Sequence, residues 1–226
     1  MIQFKKIILL LFLIGTVDTT FAQNASSTVL AKEIMQKVSA RYKSFKAVDL
    51  SFSLTTIKPK IKAEDPDSKY TSTESGKLYL KGNKFKIALA GHEIICDSKT
   101  IWNYSAAEKE VQVNEYEESE NVFSPTKIFN MHLEGYIYQI KERKTFQGKS
   151  TTVIELTPIN KKVSYFKIDV AVEDNTNNIL EAKIYEKSGS RYVYTITKQN
   201  GAVSLADDFF SFDIKKYPGV NAVDLR

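Results

Sequence analysis

From Val48 onward, apolar residues recur near every second position for most of the chain, a period that only extended strands can turn into one dry and one wet face. The clearest cases are Phe85, Ile87 and Leu89 against Lys84, Lys86 and Ala88, and Phe166, Ile168, Val170 and Val172 against Lys167, Asp169, Ala171 and Glu173. Less regular versions occupy 50–58, 76–80, 92–97, 101–104, 109–113, 136–146, 151–157, 179–186 and 192–198. The pattern predicts about ten short strands. Lys81-Gly82-Asn83, Asp97-Ser98-Lys99, Asn175-Thr176-Asn177-Asn178, Lys187-Ser188-Gly189-Ser190 and Asn200-Gly201 supply turn chemistry between them. Links this short cannot carry parallel crossovers, which need a dozen or more residues, so an antiparallel meander is expected. Only two connections are long, 60–73 and 116–133.

Helical spacing appears twice. Val29, Leu30, Ile34, Val38, Tyr42 and Phe45 recur at three- and four-residue steps and give one apolar stripe, with Ser26, Ser27 or Thr28 available as a cap. In the second long connection Ser124 can cap a short helix with Pro125 at its first position, and Ile128, Phe129 and Met131 give that helix apolar content. Lying over the dry face, it would act as a lid; the alternative is an ordinary surface helix bridging two strands. A sheet with one dry face has to curl around its cover, because a flat exposed apolar face aggregates. The expected fold class is therefore mainly β (α+β), a curved antiparallel sheet forming an open half-barrel covered by an N-terminal helix and a short lid helix. Phe and Tyr alternate with aliphatics on the strands, and periodicity leaves open whether they fill the interior or line a cavity.

The N-terminus reads as a secretory signal over residues 1–22: Lys5 and Lys6 precede an apolar run at 7–14 and a small-residue exit at Thr20-Phe21-Ala22. The run is well short of the roughly 20 residues of a spanning helix. Residues 23–226 are expected to form a single domain, periplasmic after cleavage, with no cysteine near the cut to carry a lipid anchor. Cys96 is the one cysteine, so no internal disulfide can form, and its apolar neighbours mark a buried, inert thiol. The net charge of +5 is spread through the strands and does not form the clustered basic face that nucleic acid requires. Solvated strand faces are the reading for these lysines. The acidic run at 115–120 matches no metal-binding loop, and His92 and His132 belong to no H-E-x-x-H or C-x-x-C set. No G-x-S-x-G elbow or glycine-rich phosphate loop occurs. The residues offer no catalytic or metal-ligating constellation and imply no cofactor.

The run from Gly76 to Ile87 (Gly-Lys-Leu-Tyr-Leu-Lys-Gly-Asn-Lys-Phe-Lys-Ile) and the run from Ile94 to Tyr104 (Ile-Ile-Cys-Asp-Ser-Lys-Thr-Ile-Trp-Asn-Tyr) resemble the periplasmic outer-membrane lipoprotein carrier, or LolA, family. Ser124-Pro125 stands where that family's lid begins. Leu156-Thr157-Pro158 is similar to a strand ending in Thr-Pro, and Gln199-Asn200-Gly201-Ala202-Val203, Phe210-Ser211-Phe212 and Pro218-Gly219-Val220 resemble its C-terminal end. No single piece is a signature, but the ordered set spans nearly all of the mature chain.

The resemblance implies a half-barrel whose apolar interior receives the acyl chains of lipoproteins and moves them from inner to outer membrane. An inner-membrane lipoprotein-releasing transporter would be the donor, an outer-membrane protein the acceptor, and the carrier a monomer. The expected ligand-binding residues are Phe52, Leu78, Leu80, Phe85, Ile87, Leu89, Trp102, Phe166 and Ile168 in the cavity, with Ile128 and Phe129 on the lid. Where the family commonly has Arg-Pro before the Phe85 strand, with the arginine helping to hold the lid closed, this chain has Gly82-Asn83 with Lys81 beside them. Lysine lacks the planar fork that holds several carbonyls at once. The alternative reading on the same architecture is a periplasmic regulator that senses lipid or mislocalised lipoprotein.

Overall fold

The computed structural model describes residues 19–59, 70–117 and 134–226. One helix, α1 (Thr19–Ser44), precedes a run of strands: β1 (Val48–Ile57), β2 (Thr71–Lys81), β3 (Lys84–Leu89), β4 (His92–Cys96), β5 (Thr100–Ser105) and β6 (Glu110–Glu115). The second run is β7 (Tyr136–Phe146), β8 (Lys149–Pro158), β9 (Tyr165–Glu173), β10 (Ile179–Glu186) and β11 (Arg191–Asn200), and a short β12 (Asn221–Asp224) follows. All twelve lie in one sheet of order β12-β6-β5-β4-β3-β2-β1-β11-β10-β9-β8-β7. The single expected meander is in fact two, β1 to β6 and β7 to β11, joined by antiparallel pairing of β1 with β11. The sheet is antiparallel as expected, and only the short β12 departs from it, pairing parallel to β6. Hairpin chemistry sets the tight links. Ala90-Gly91 and Gln147-Gly148 all have positive φ, the conformation of two-residue turns whose twist matches that of the strands they join.

The sheet is curved and open, not closed into a barrel. One extra residue sits in a strand at Lys141, Phe166, Leu180 and Thr197, where the pairing register shifts. Such bulges bend a strand and increase its twist. All four lie in β7 to β11, and that half of the sheet curls around α1. Ala31, Met35, Val38 and Tyr42 form the buried stripe of the helix and join one core with Ile154, Leu156, Ile168, Val170, Ala182 and Ile184 from the sheet. Each fully buried aliphatic contributes about 1.5–3 kcal/mol by leaving water. The helix runs past the expected caps, and Ser27 has another use: its hydroxyl accepts from the backbone N–H of Ile140 on edge strand β7 at 3.3 Å. Farther along that edge β7 is charged and exposed from Lys141 to Lys144, which discourages further strand pairing.

Tyr42 fixes the other end of α1. Its hydroxyl donates to Gln199 Oε1 at 2.7 Å and accepts from the Ile179 N–H at 3.2 Å, while Arg41 Nε and Gln199 Nε2 both donate to Asn178 Oδ1. Phe45 packs its ring on Gly201, where a Cβ would overlap it. That glycine is needed for close approach.

The segment after β11 crosses the outer face as a strap. Phe209 meets the Tyr79 ring at 4.9 Å, Phe212 stacks on Tyr217 at 4.4 Å, and both Phe212 and Tyr217 pack on Tyr104. Tyr217 donates to Glu93, which also pairs with Lys86. Asp207 takes Lys81 at 2.8 Å and Lys84 at 3.2 Å. Lysines 81, 84 and 86, expected as solvated positions, are therefore partners of the strap. Phe210 is fully buried.

Replacing Tyr42 with Phe removes the partner of the buried Ile179 N–H, and is expected to cost about 1–3 kcal/mol in urea unfolding with an unchanged m-value. Hydrogen bonds from Lys81 and Lys84 hold the Asp207 carboxyl below its ordinary pKa. Its stabilising contribution is therefore present above the unfolded pKa, about 4, and is lost as pH falls through the lower folded value. Amide hydrogen exchange at Phe209 and Ser211, corrected for intrinsic rates, should speed up over that acidic window. In Asp207→Asn it should already be fast at neutral pH and should lack that step.

Candidate functional site

Cross-strand register assembles the inner face into rows: Val48, Leu80, Phe85 and Cys96, then Leu50, Leu78, Ile87 and Ile94, then Phe52, Gly76, Leu89 and His92. Directly opposed residues share a face, so these rows form one apolar surface. Six of the expected lining residues lie on it, and a seventh, Ile168 of β9, lies in the same core cluster. Phe52, Leu78, Leu80, Phe85, Ile87 and Ile168 are buried, and Leu89 is partly buried. The sequence reading left out Leu54, Ile94, Ile101, Tyr116, Tyr192 and Tyr194, which pack partly buried against the same cluster. Their alternation was visible in the sequence, but their side of the sheet was not.

The rows have a shaped floor. The Phe52 ring lies over Gly76, where a Cβ would come within 2.5 Å of it and 3.0 Å of the Ala88 carbonyl, and Tyr194 tilts against the same ring at 5.7 Å. Tyr116 meets Phe85 edge-on at 5.7 Å. Toward β5 and β6 the same face turns polar, with Asn103 opposite Ile94 and Gln112 opposite Asn103. The greasy surface is therefore bounded on that side.

Ionisation is suppressed in the apolar part. Burial pushes the Tyr194 phenol up to about 12 and the Cys96 thiol up to about 11, so both stay neutral at physiological pH. Cys96 is fully buried and accepts from the Ser98 N–H. It packs as a hydrophobe. Among the described residues no three His, Cys, Asp or Glu side chains are disposed to hold a metal, and no helix is long and apolar enough to cross a membrane. The chemistry this surface offers is apolar contact.

Two expected lining residues lie elsewhere. Trp102 stands in the row Ile95, Trp102, Val113, on the outer face, because its neighbours Ile101 and Asn103 take the inner one. Phe166 is 51% exposed and its ring meets Tyr185 at 6.1 Å. Strict alternation puts it beside Ile168, but the bulge at Phe166 passes the inner position to Tyr165, which is 3% exposed. Ile128 and Phe129, with the whole expected lid, lie outside the described residues. Lys81, at the turn where the arginine was missed, points away from the interior and donates to the Leu205 carbonyl of the strap at 2.6 Å.

Two solved structures share this fold at low sequence identity, and a third is similar to the chain at a lower score. An uncharacterized conserved protein from Thermus thermophilus is 9% identical with a TM-score of 0.56, over 86% of this chain and 99% of that one. A DUF1329 family protein from Desulfovibrio piger is 16% identical with a TM-score of 0.50, over 82% and 97%. A putative outer membrane lipoprotein-sorting protein domain from Vibrio parahaemolyticus is 14% identical with a TM-score of 0.47, over 81% and 97%. No curated protein matches the sequence. Residues 56–213, from the end of β1 into the strap, match the family described as outer membrane lipoprotein carrier protein LolA, and the chain belongs to that family.

Proposed function

We propose that the mature chain is a periplasmic carrier, not an enzyme, which takes the acyl chains of lipoproteins against the inner face of β1 to β4 and moves them from inner to outer membrane. The observation that carries this reading is the uncharged surface of Phe52, Leu78, Phe85 and Ile87, continued by partly exposed Leu54, Leu89, Ile94 and Tyr192. Family membership supports the cargo. Burying each methylene is worth about 0.8 kcal/mol, so a lipoprotein with two or three long chains crosses water only if they are shielded. An inner-membrane transporter as donor, an outer-membrane acceptor, a monomeric state and removal of residues 1–22 complete the proposal. Phe52, Leu78, Leu80, Phe85, Ile87, Leu89 and Ile168 are the proposed lining, with Ile128 and Phe129 as the proposed lid contacts.

Purified from bacteria, the protein should carry phospholipid or acylated protein visible by mass spectrometry, bind an apolar fluorophore saturably, and release a lipoprotein from inner-membrane vesicles. Saturable binding without release would move the reading to the lipid-sensing regulator; absence of both would sink it. Gly76→Leu pushes Phe52 into the interior and Leu89→Glu sets a charge at its edge. Both should weaken fluorophore binding by about tenfold or more, with retention of fold checked by circular dichroism, whereas Phe166→Ala on the outer face should leave it unchanged. Trp102 is the one tryptophan, so its emission should stay constant as the interior loads. A blue shift would place the ligand on the other face.

A further inference from the structure

The outer face of β7 to β9 ends in an exposed apolar corner. Ile137 is 55% exposed, Ile159 59% and Phe166 51%. Tyr136 and Tyr138 take the inner side of β7, which leaves Ile137 outside, and the Ile159 N–H extends the β7–β8 ladder by one bond to the Gly135 carbonyl. The bulge that removes Phe166 from the interior is what places it here.

Cations gather around the same corner. The links after β1, β8 and β10 come together, because the Lys187 N–H donates to the Ser164 carbonyl, Lys187 Nζ donates to the Lys161 carbonyl, and Gly189 sits against Pro59. They bring exposed Lys58, Lys161, Lys162 and Lys187 alongside Arg191. Arg191 and Lys167 both stand over the Tyr185 ring, at 5.5 and 4.6 Å, and that ring also meets Phe166. Among the described residues the carboxylates of the corner do not balance this charge. Glu155 is paired with Lys167 and Asp169 with Lys141, which leaves Glu134 and Glu186 against five exposed cations. Exposed aliphatic and aromatic side chains among lysines and arginine match the interface of an anionic bilayer, where apolar tips enter the headgroup boundary and cations meet lipid phosphates.

We propose that this corner docks the protein on the surface of an anionic phospholipid membrane. The proposal rests on the carrier reading for its purpose. Tyr192, on the inner face, directly follows Arg191, and with Leu54 and Leu89 it brings the apolar interior to this same end of the sheet, so a docked protein presents its interior to the lipid it loads from or delivers to.

The test is sedimentation of the purified protein with vesicles of phosphatidylglycerol mixed with phosphatidylcholine, against vesicles of phosphatidylcholine alone. Binding should be specific to the anionic vesicles and should weaken with added salt. The double variants Ile159→Asp/Phe166→Asp and Lys161→Glu/Lys162→Glu should each reduce it about tenfold or more. Fluorophore binding in the interior should stay unchanged in both. No preference for anionic vesicles, or variants that bind as the parent does, overturns the proposal. So does a loss confined to membranes that contain protein, which would make the corner a protein-docking site. Because vesicle binding needs no cargo and fluorophore binding needs no membrane, failure of docking and failure of the carrier reading are read separately.

Discussion

The pairing of β1 with β11 holds this molecule together. Each meander could form alone from local hairpins, but only the ladder from Asp49–Asn200 to Ile57–Arg191 makes them one sheet. It joins residues far apart in sequence, so its loop-closure entropy is met late in folding and repaid by the core it completes. Phe52 faces Ile196 across this seam and Leu54 faces Tyr194, so the apolar surface runs unbroken from one meander to the other. The seam also sends the two outermost strands to opposite ends, which leaves the sheet open with β7 on one edge and β12 on the other.

Cover is then distributed diagonally. The helix takes the inner face of the half formed by β7 to β11, and the strap takes the outer face of the half formed by β2 to β6. Each cover is fixed by polar bonds at its margins and apolar contact along its length, as Tyr42 with Gln199 and Tyr217 with Glu93 show. What these two elements leave uncovered differs in kind. On the inner side of β1 to β4 it is apolar and aromatic, with Glu74 and His92 at its exposed margin; on the outer side of β7 to β9 it mixes exposed Ile and Phe with lysine. One suits acyl chains and the other suits headgroups.

Much of this was legible from the chain. Period two located most strands, the Lys81-Gly82-Asn83 and Asp97-Ser98-Lys99 turns formed where expected, and Phe85 and Ile87 lie on the inner face because nothing interrupts β3. Alternation fails where the backbone gains a residue. Phe166 illustrates this, since a bulge depends on the partner strand and leaves no mark in its own sequence. Trp102 shows a different limit. Ile101 and Trp102 are both apolar, and which of them faces inward depends on pairing with Cys96 and Ile95. The start of β2 was unreadable because Thr71-Ser72-Thr73-Glu74-Ser75 has no apolar alternation, yet it pairs along β1 with Thr73 and Thr55 hydroxyls in contact at 3.0 Å. The strap was hidden for a related reason: lysines on a wet face look alike whether they meet water or Asp207.

The neutral interior bears on how a carrier of this build would let its cargo go. Tyr194 and Cys96 titrate well above physiological pH, and the rows between Val48 and Leu89 hold no carboxylate, lysine or arginine. The buried part of this surface therefore holds no charge that could expel acyl chains; His92 and Glu74 stand at its exposed margin. Apolar affinity scales with the area covered, so release has to come from reducing that area.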